Sequence, residues 1–141
     1  MKKVYILFAA LAAATVSLSF ASSDQDAALK KSMEAGKGVY NGICMACHLN
    51  EGQGIANVFP PLAKSDYLME DLDRSIKILI NGQQGEITVN GKKYNGAMPA
   101  PGLDDKDIAD VLNYIRNSWG NKGDKIVTEA QVAKVRAAAK K

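Results

Sequence analysis

Histidine occurs once in these 141 residues and cysteine twice, so His48, Cys44 and Cys47 are the whole stock of imidazole and thiol ligands. Structural zinc takes four such ligands, and three cannot complete the set. Charge of one sign is also scarce: 18 Lys and Arg stand against 15 Asp and Glu, a formal +3 at pH 7. Nucleic-acid binding normally shows as a concentrated basic footprint, and this balance gives no case for it. There is no internal repeat of useful length, and no cysteine near position 21 to carry a lipid.

What is present begins with an export signal. Lys2 and Lys3 form a short positive region, Val4 to Phe20 is uncharged, and Ser19-Phe20-Ala21 places small residues where a signal peptidase reads. The pattern predicts a signal peptide over 1–21, cleaved after Ala21, and a periplasmic mature chain with no membrane span and a formal charge of +1. The alternative is an uncleaved anchor, because 17 residues at about 1.5 Å each fall only slightly short of a ~30 Å hydrocarbon core. Residues 22–29 read as a polar leader, and the remainder is one domain's length.

Periodicity supplies the elements. Met33, Gly36, Val39, Tyr40 and Ile43 recur every three or four residues and put an apolar stripe on a helix within 24–48. Glycines and prolines make 49–64 a loop. Asp66 to Asn81 reads as one helix with Leu68, Leu72, Ile76, Leu79 and Ile80 on a face and Asn81-Gly82 as its stop. Ile87 and Val89 before Asn90-Gly91 predict a hairpin over Glu86–Tyr94. Tyr94 to Gly102, with Gly96, Pro99 and Pro101, reads as a loop. Asp104 caps a helix whose apolar stripe Ile108, Val111, Leu112, Ile115, Trp119 ends at Gly120. Thr128-Glu-Ala-Gln131 matches a capping box for a short last helix with Val132 and Val135 on one side.

The chemistry is concentrated in Cys44-Met45-Ala46-Cys47-His48, the c-type haem attachment spacing. Two thiols three residues apart add to the two vinyl groups of one haem, and the histidine that follows is placed to reach the iron. A disulfide-exchange dithiol would sit near a βαβ pattern, absent from these flanks, and a plain disulfide leaves the histidine unexplained.

If haem is bound through a histidine, His48 must be the one, with its second ring nitrogen donating to a carbonyl, for which Pro60-Pro61-Leu62 is the candidate source. Electron carriers usually take methionine or histidine as the sixth ligand. Met33 and Met69 lie in helical stretches as core filler, Met45 lies inside the attachment turn, and Met98 stands in a rigid loop. Met98 is preferred, with Met69 and an open site as alternatives. Trp119 is read as core packing, and Lys37, Lys64, Lys77, Lys92, Lys93 and the basic end Lys134, Arg136, Lys140, Lys141 as solvated surface that is able to meet a partner.

These positions resemble the class I c-type cytochromes from about Glu34 to Asn121. Gly36 and Tyr40 look like the small and aromatic pair of that family's N-terminal helix, and Val111 and Tyr114 like their partners on the C-terminal helix. The resemblance implies an all-α fold, four or five helices around one haem c with a small β-hairpin before the methionine loop. The cytochrome domain then spans 30–121, followed by an extension over 122–141 with a short helix. It implies that Pro60 accepts from His48, that Leu62 packs on the ring, and that Met98 completes a His/Met-ligated iron. The hairpin and tail are similar to cytochrome domains associated with copper nitrite reductases and related respiratory oxidoreductases. The function implied is a monomeric one-electron carrier meeting donor and acceptor proteins, not an enzyme. Its rivals are a haem subunit or sensor domain of a larger complex, and an enzyme with an open haem site.

Overall fold

A computed structural model describes residues 24–139. The expected signal segment 1–21 lies outside the described residues. The described residues divide into two units, one ending at Lys31 and one beginning at Ser32. In the first, residues 24–31 are helical.

The second unit opens on helix α1, residues 32–39. A side chain at Gly36 would collide with the Asp110 carbonyl, so the missing Cβ lets two helix backbones touch. The helix then widens into a π turn, Tyr40–Cys44, in which the Met45 N–H donates to the Tyr40 carbonyl. One residue is thereby inserted into the helical repeat. Tyr40 stays fully buried while Ile43 turns out to 44% exposure, which corrects the expected stripe at its last position. A short helix α2, Met45–His48, follows and stops at Leu49, whose φ is 62°.

The stretch expected as a single helix over Asp66–Asn81 is two helices, α3 (Asp66–Glu70) and α4 (Leu72–Asn81). The break is a capping event. Asp71 has extended backbone, φ −138°, and its carboxylate accepts from the Arg74 N–H at 2.9 Å, a role that no residue inside a helix can fill.

Strands β1 (Gln83–Val89) and β2 (Lys92–Met98) pair antiparallel from Val89↔Lys92 to Gln83↔Met98. Asn90 and Gly91, at φ 51° and 74°, make the two-residue turn. The hairpin is longer than the sequence predicts, and residues 94–98 are strand in place of the expected loop. In a two-stranded sheet both strands are edges, so Gly96 is tolerated and the prolines begin only beyond Met98.

Helix α5, Asp105–Ile115, is capped by Asp104, which accepts from the Asp107 N–H at 2.8 Å. It ends four residues before Trp119, whose left-handed φ of 51° takes that side chain off the expected stripe. Helix α6, Glu129–Ala139, starts on the capping box: Thr128 Oγ1 accepts from the Gln131 N–H, and Gln131 Oε1 from the Thr128 N–H. Ile76 of α4, Ile108 and Leu112 of α5 and Val132 of α6 are all fully buried in one core with Tyr40. Each such aliphatic side chain contributes roughly 1.5–3 kcal/mol by leaving water. The architecture is helical with one small hairpin, and among the described residues no helix is long and apolar enough to cross a membrane.

Candidate functional site

One cavity is lined by Cys44, Cys47, His48, Pro60, Leu62 and Met98, so the structure brings all six expected site residues together. Its remaining walls are largely aliphatic and aromatic, among them Leu68 of α3, Leu79 of α4, Tyr94 of β2 and Ile115 of α5.

The π turn and α2 place the two thiols. Three positions apart on helical backbone, Cys44 and Cys47 lie on neighbouring sides of one turn, with His48 at its end. Burial, with Cys47 as a second cause, pushes the Cys44 thiol up to about 11. A disulfide-exchange cysteine shows the opposite shift, towards a reactive thiolate.

His48 is 9% exposed, and its Nδ1 donates to the Pro60 carbonyl at 3.0 Å. A carbonyl can only accept, so Nδ1 carries the proton and Nε2 keeps the lone pair. Burial lowers the affinity of the ring for a second proton, and the Pro60 bond opposes this only in part. The imidazole is therefore neutral with its lone pair free at Nε2, the form that ligates metals. The loop is drawn tight behind it. Gly54 N–H donates to the His48 carbonyl at 3.0 Å, and a Cβ on Gly54 would stand 2.7 Å from the Pro60 oxygen.

Met98 is the last residue of β2, half-buried against the core. A Cβ on Gly82 would meet the Met98 carbonyl at 2.5 Å, so the glycine that ends α4 also sets how closely the methionine backbone packs. Nothing in the sequence alone marks Gly54 or Gly82 as a site residue. Their role depends on contacts between segments far apart in sequence.

Two further features were not legible. Tyr40 meets Tyr114, as the resemblance implies, but Trp119 joins them in an aromatic cluster with ring centroids 4.9–5.5 Å apart, and the indole lies where a Gly52 side chain would be. Trp119 packs, as expected, but through this cluster and not through a helix stripe. Arg136, read as part of a solvated basic end, instead pairs with Asp105 at 2.5 Å and donates to the Leu103 carbonyl at 3.0 Å. Lys93 pairs with Glu86 at 2.9 Å in the open.

The donor set discriminates between cofactors. Among the described residues no group of three His, Cys, Asp or Glu side chains could hold a bare metal ion. Two thiols, one neutral imidazole and one thioether around an apolar cavity fit an iron carried in a flat, largely apolar macrocycle.

Comparison with known proteins agrees. The family model for Cytochrome c matches residues 33–119. A cytochrome c-552 of Thermus thermophilus is 44% identical over 103 residues, covering 67% of this chain and 79% of that protein. The cytochrome c subunit of a quinone alcohol dehydrogenase from Gluconacetobacter polyoxogenes is 37% identical over 105 residues, 72% of this chain but 22% of that subunit. The cytochrome c subunit of a gluconate 2-dehydrogenase from Pantoea cypripedii is 36% identical over 106 residues, 73% of this chain and 24% of that subunit.

Proposed function

The chain belongs to the class I c-type cytochromes and binds haem c covalently, and on that footing we propose that it is a periplasmic carrier of single electrons between respiratory redox partners, with His48 and Met98 as axial ligands. Haem c, when bound, supplies a one-electron iron couple. The rest is done by the chain. Cys44 and Cys47 tether through thioether bonds. His48 presents a basic Nε2 because Nδ1 is held by Pro60. Met98 offers a soft thioether from a strand end fixed by Pro99, and Leu62, on the cavity wall, would pack on the ring. A thioether opposite an imidazole favours the ferrous state more than two imidazoles do, which raises the potential. With His48 and Met98 holding the iron, the chain would leave dioxygen and substrates no place on the metal, and the role would be electron transfer without bond chemistry.

The observation that carries this reading is the meeting of His48, its Nδ1 fixed on Pro60, and Met98 on one apolar cavity. Export is supported by Lys2-Lys3, the uncharged run to Phe20 and the small residues ending at Ala21. The test is optical: the ferric protein shows the methionine-to-iron absorption, and Met98→Ala removes it and admits carbon monoxide to the ferrous form. Wild-type protein that lacks the band, or binds carbon monoxide readily, contradicts Met98 ligation and favours an open-site enzyme.

A second reading has its own support, since relatives named as dehydrogenase subunits align over 72–73% of the chain. A haem subunit of such a complex would be recovered from native extracts only within a larger assembly. The carrier elutes alone on size exclusion.

A further inference from the structure

Asn121 lies six residues beyond the end of α5 and is 7% exposed. Its carboxamide is held by three backbone groups. Nδ2 donates to the carbonyls of Leu62 and Ile115, each at 2.8 Å, and Oδ1 accepts from the Ser65 N–H at 3.2 Å. Two acceptors on one side and a donor on the other admit a single amide orientation.

These contacts fall on one functional segment. Leu62 and Ser65 close the stretch that begins with Pro60, and Ile115 is the last residue of α5. The other side of the stretch is tied to the attachment loop, where the Gly52 carbonyl accepts from the Leu62 and Ala63 N–H groups at 2.7 and 2.9 Å. The Pro60 carbonyl, two residues before Leu62, is the acceptor for His48. Pro60 itself has no N–H to anchor it, so its carbonyl is aimed by its neighbours.

We propose that Asn121 is a positioning residue for His48: by pinning Leu62 and Ser65 to the end of α5, it fixes the Pro60 carbonyl that sets the tautomer and basicity of the imidazole. The inference rests on reading His48 as the proximal ligand. A firm Nδ1–H···O bond makes Nε2 a stronger donor, which stabilises ferric iron. Loosening the segment therefore weakens that donor and raises the reduction potential.

The natural control is Asn113, another buried amide of the same fold, which binds the Val127 backbone through both ends and donates to Ser32. Asn121→Ala and Asn113→Ala in the holoprotein are each expected to lower the denaturation midpoint. Only Asn121→Ala is expected to raise the potential and to speed exchange of the His48 ring proton, by tenfold or more. In the unmodified protein, native-state hydrogen exchange of the Ser65 amide and the His48 ring proton should proceed through one common opening. This holds as a test even where the alanine variant does not fold. Equal potentials in the two variants, or a His48 proton that exchanges independently of Ser65, overturns the proposal. Wild-type protein without a histidine-ligated haem overturns the underlying site reading instead.

Discussion

Tyr40 shows how one side chain serves fold and site together. It is fully buried, donates to the Leu49 carbonyl at 2.6 Å, and packs with tilted rings against Tyr114 and Trp119. Burial raises its phenol well above the ordinary value of 10.0. The folded chain thus keeps a proton that the unfolded chain releases near pH 10. That contribution is complete below pH 10 and is lost as pH climbs towards the folded value, at up to about 1.4 kcal/mol per pH unit. Denaturant titrations should show wild-type stability falling above pH 10 and a shallower fall in Tyr40→Phe. The same variant should lose about 1 kcal/mol at neutral pH with the Leu49 hydrogen bond. At Met98, replacement by alanine should also lower the reduction potential, read by voltammetry, because the soft ligand that favours ferrous iron is gone.

At the scale of elements, signals confined to a few neighbouring residues were readable beforehand. Asn90-Gly91 marked the hairpin, Thr128 with Gln131 marked the start of α6, and Asp104 marked the start of α5. What escaped depended on partners distant in sequence or on competing local roles. The apolar positions from Leu68 to Ile80 fit one helical face, yet Asp71 caps instead of continuing, because its carboxylate satisfies the Arg74 N–H. The π turn at Tyr40–Cys44 leaves no periodic trace, since one extra residue in a turn looks like ordinary spacing. Trp119 suited the α5 stripe but is drawn away to the Tyr40–Tyr114 cluster. The candidate site was readable to a greater extent, because the attachment spacing is local and a lone histidine leaves no choice. Asn121, Gly54 and Gly82 act through long-range contact and were invisible in that respect. The α1–α5 crossing gives a direct check. Gly36→Ala pushes a methyl into the Asp110 backbone, and by the usual cost of overpacking it should destabilise by about 1–3 kcal/mol in chemical denaturation. Removing the α4 cap with Asp71→Ala should cost about 1 kcal/mol.

Across the whole molecule, charge is distributed unevenly. Charged residues make up 23% of the chain, yet 38–50, 52–63 and 94–103 contain no Asp, Glu, Lys or Arg. Each of these segments contributes to the cavity wall. Ile43, Ile55 and Val58, at 44%, 41% and 54% exposure, lie within the first two. A surface built from such segments would meet a redox partner through apolar contact, without the salt-sensitive steering of oppositely charged surfaces. Electron self-exchange between ferric and ferrous copies, followed by NMR line broadening, should change by less than about threefold on adding salt. Val58→Lys should slow it at low ionic strength and restore a salt dependence, because two like charges then meet across the encounter. Glu129→Lys, the same kind of charge on the exposed start of α6, should do neither.

All of these effects presuppose that Cys44 and Cys47 hold the prosthetic group. The most direct check is mass spectrometry of the peptide containing residues 44–48 from the purified protein, together with its pyridine haemochrome spectrum. A peptide heavier by one haem, bonded through both sulfurs, and a c-type spectrum with one haem per chain are expected. A peptide of bare mass with a Cys44–Cys47 disulfide, from a colourless protein, would contradict that attachment.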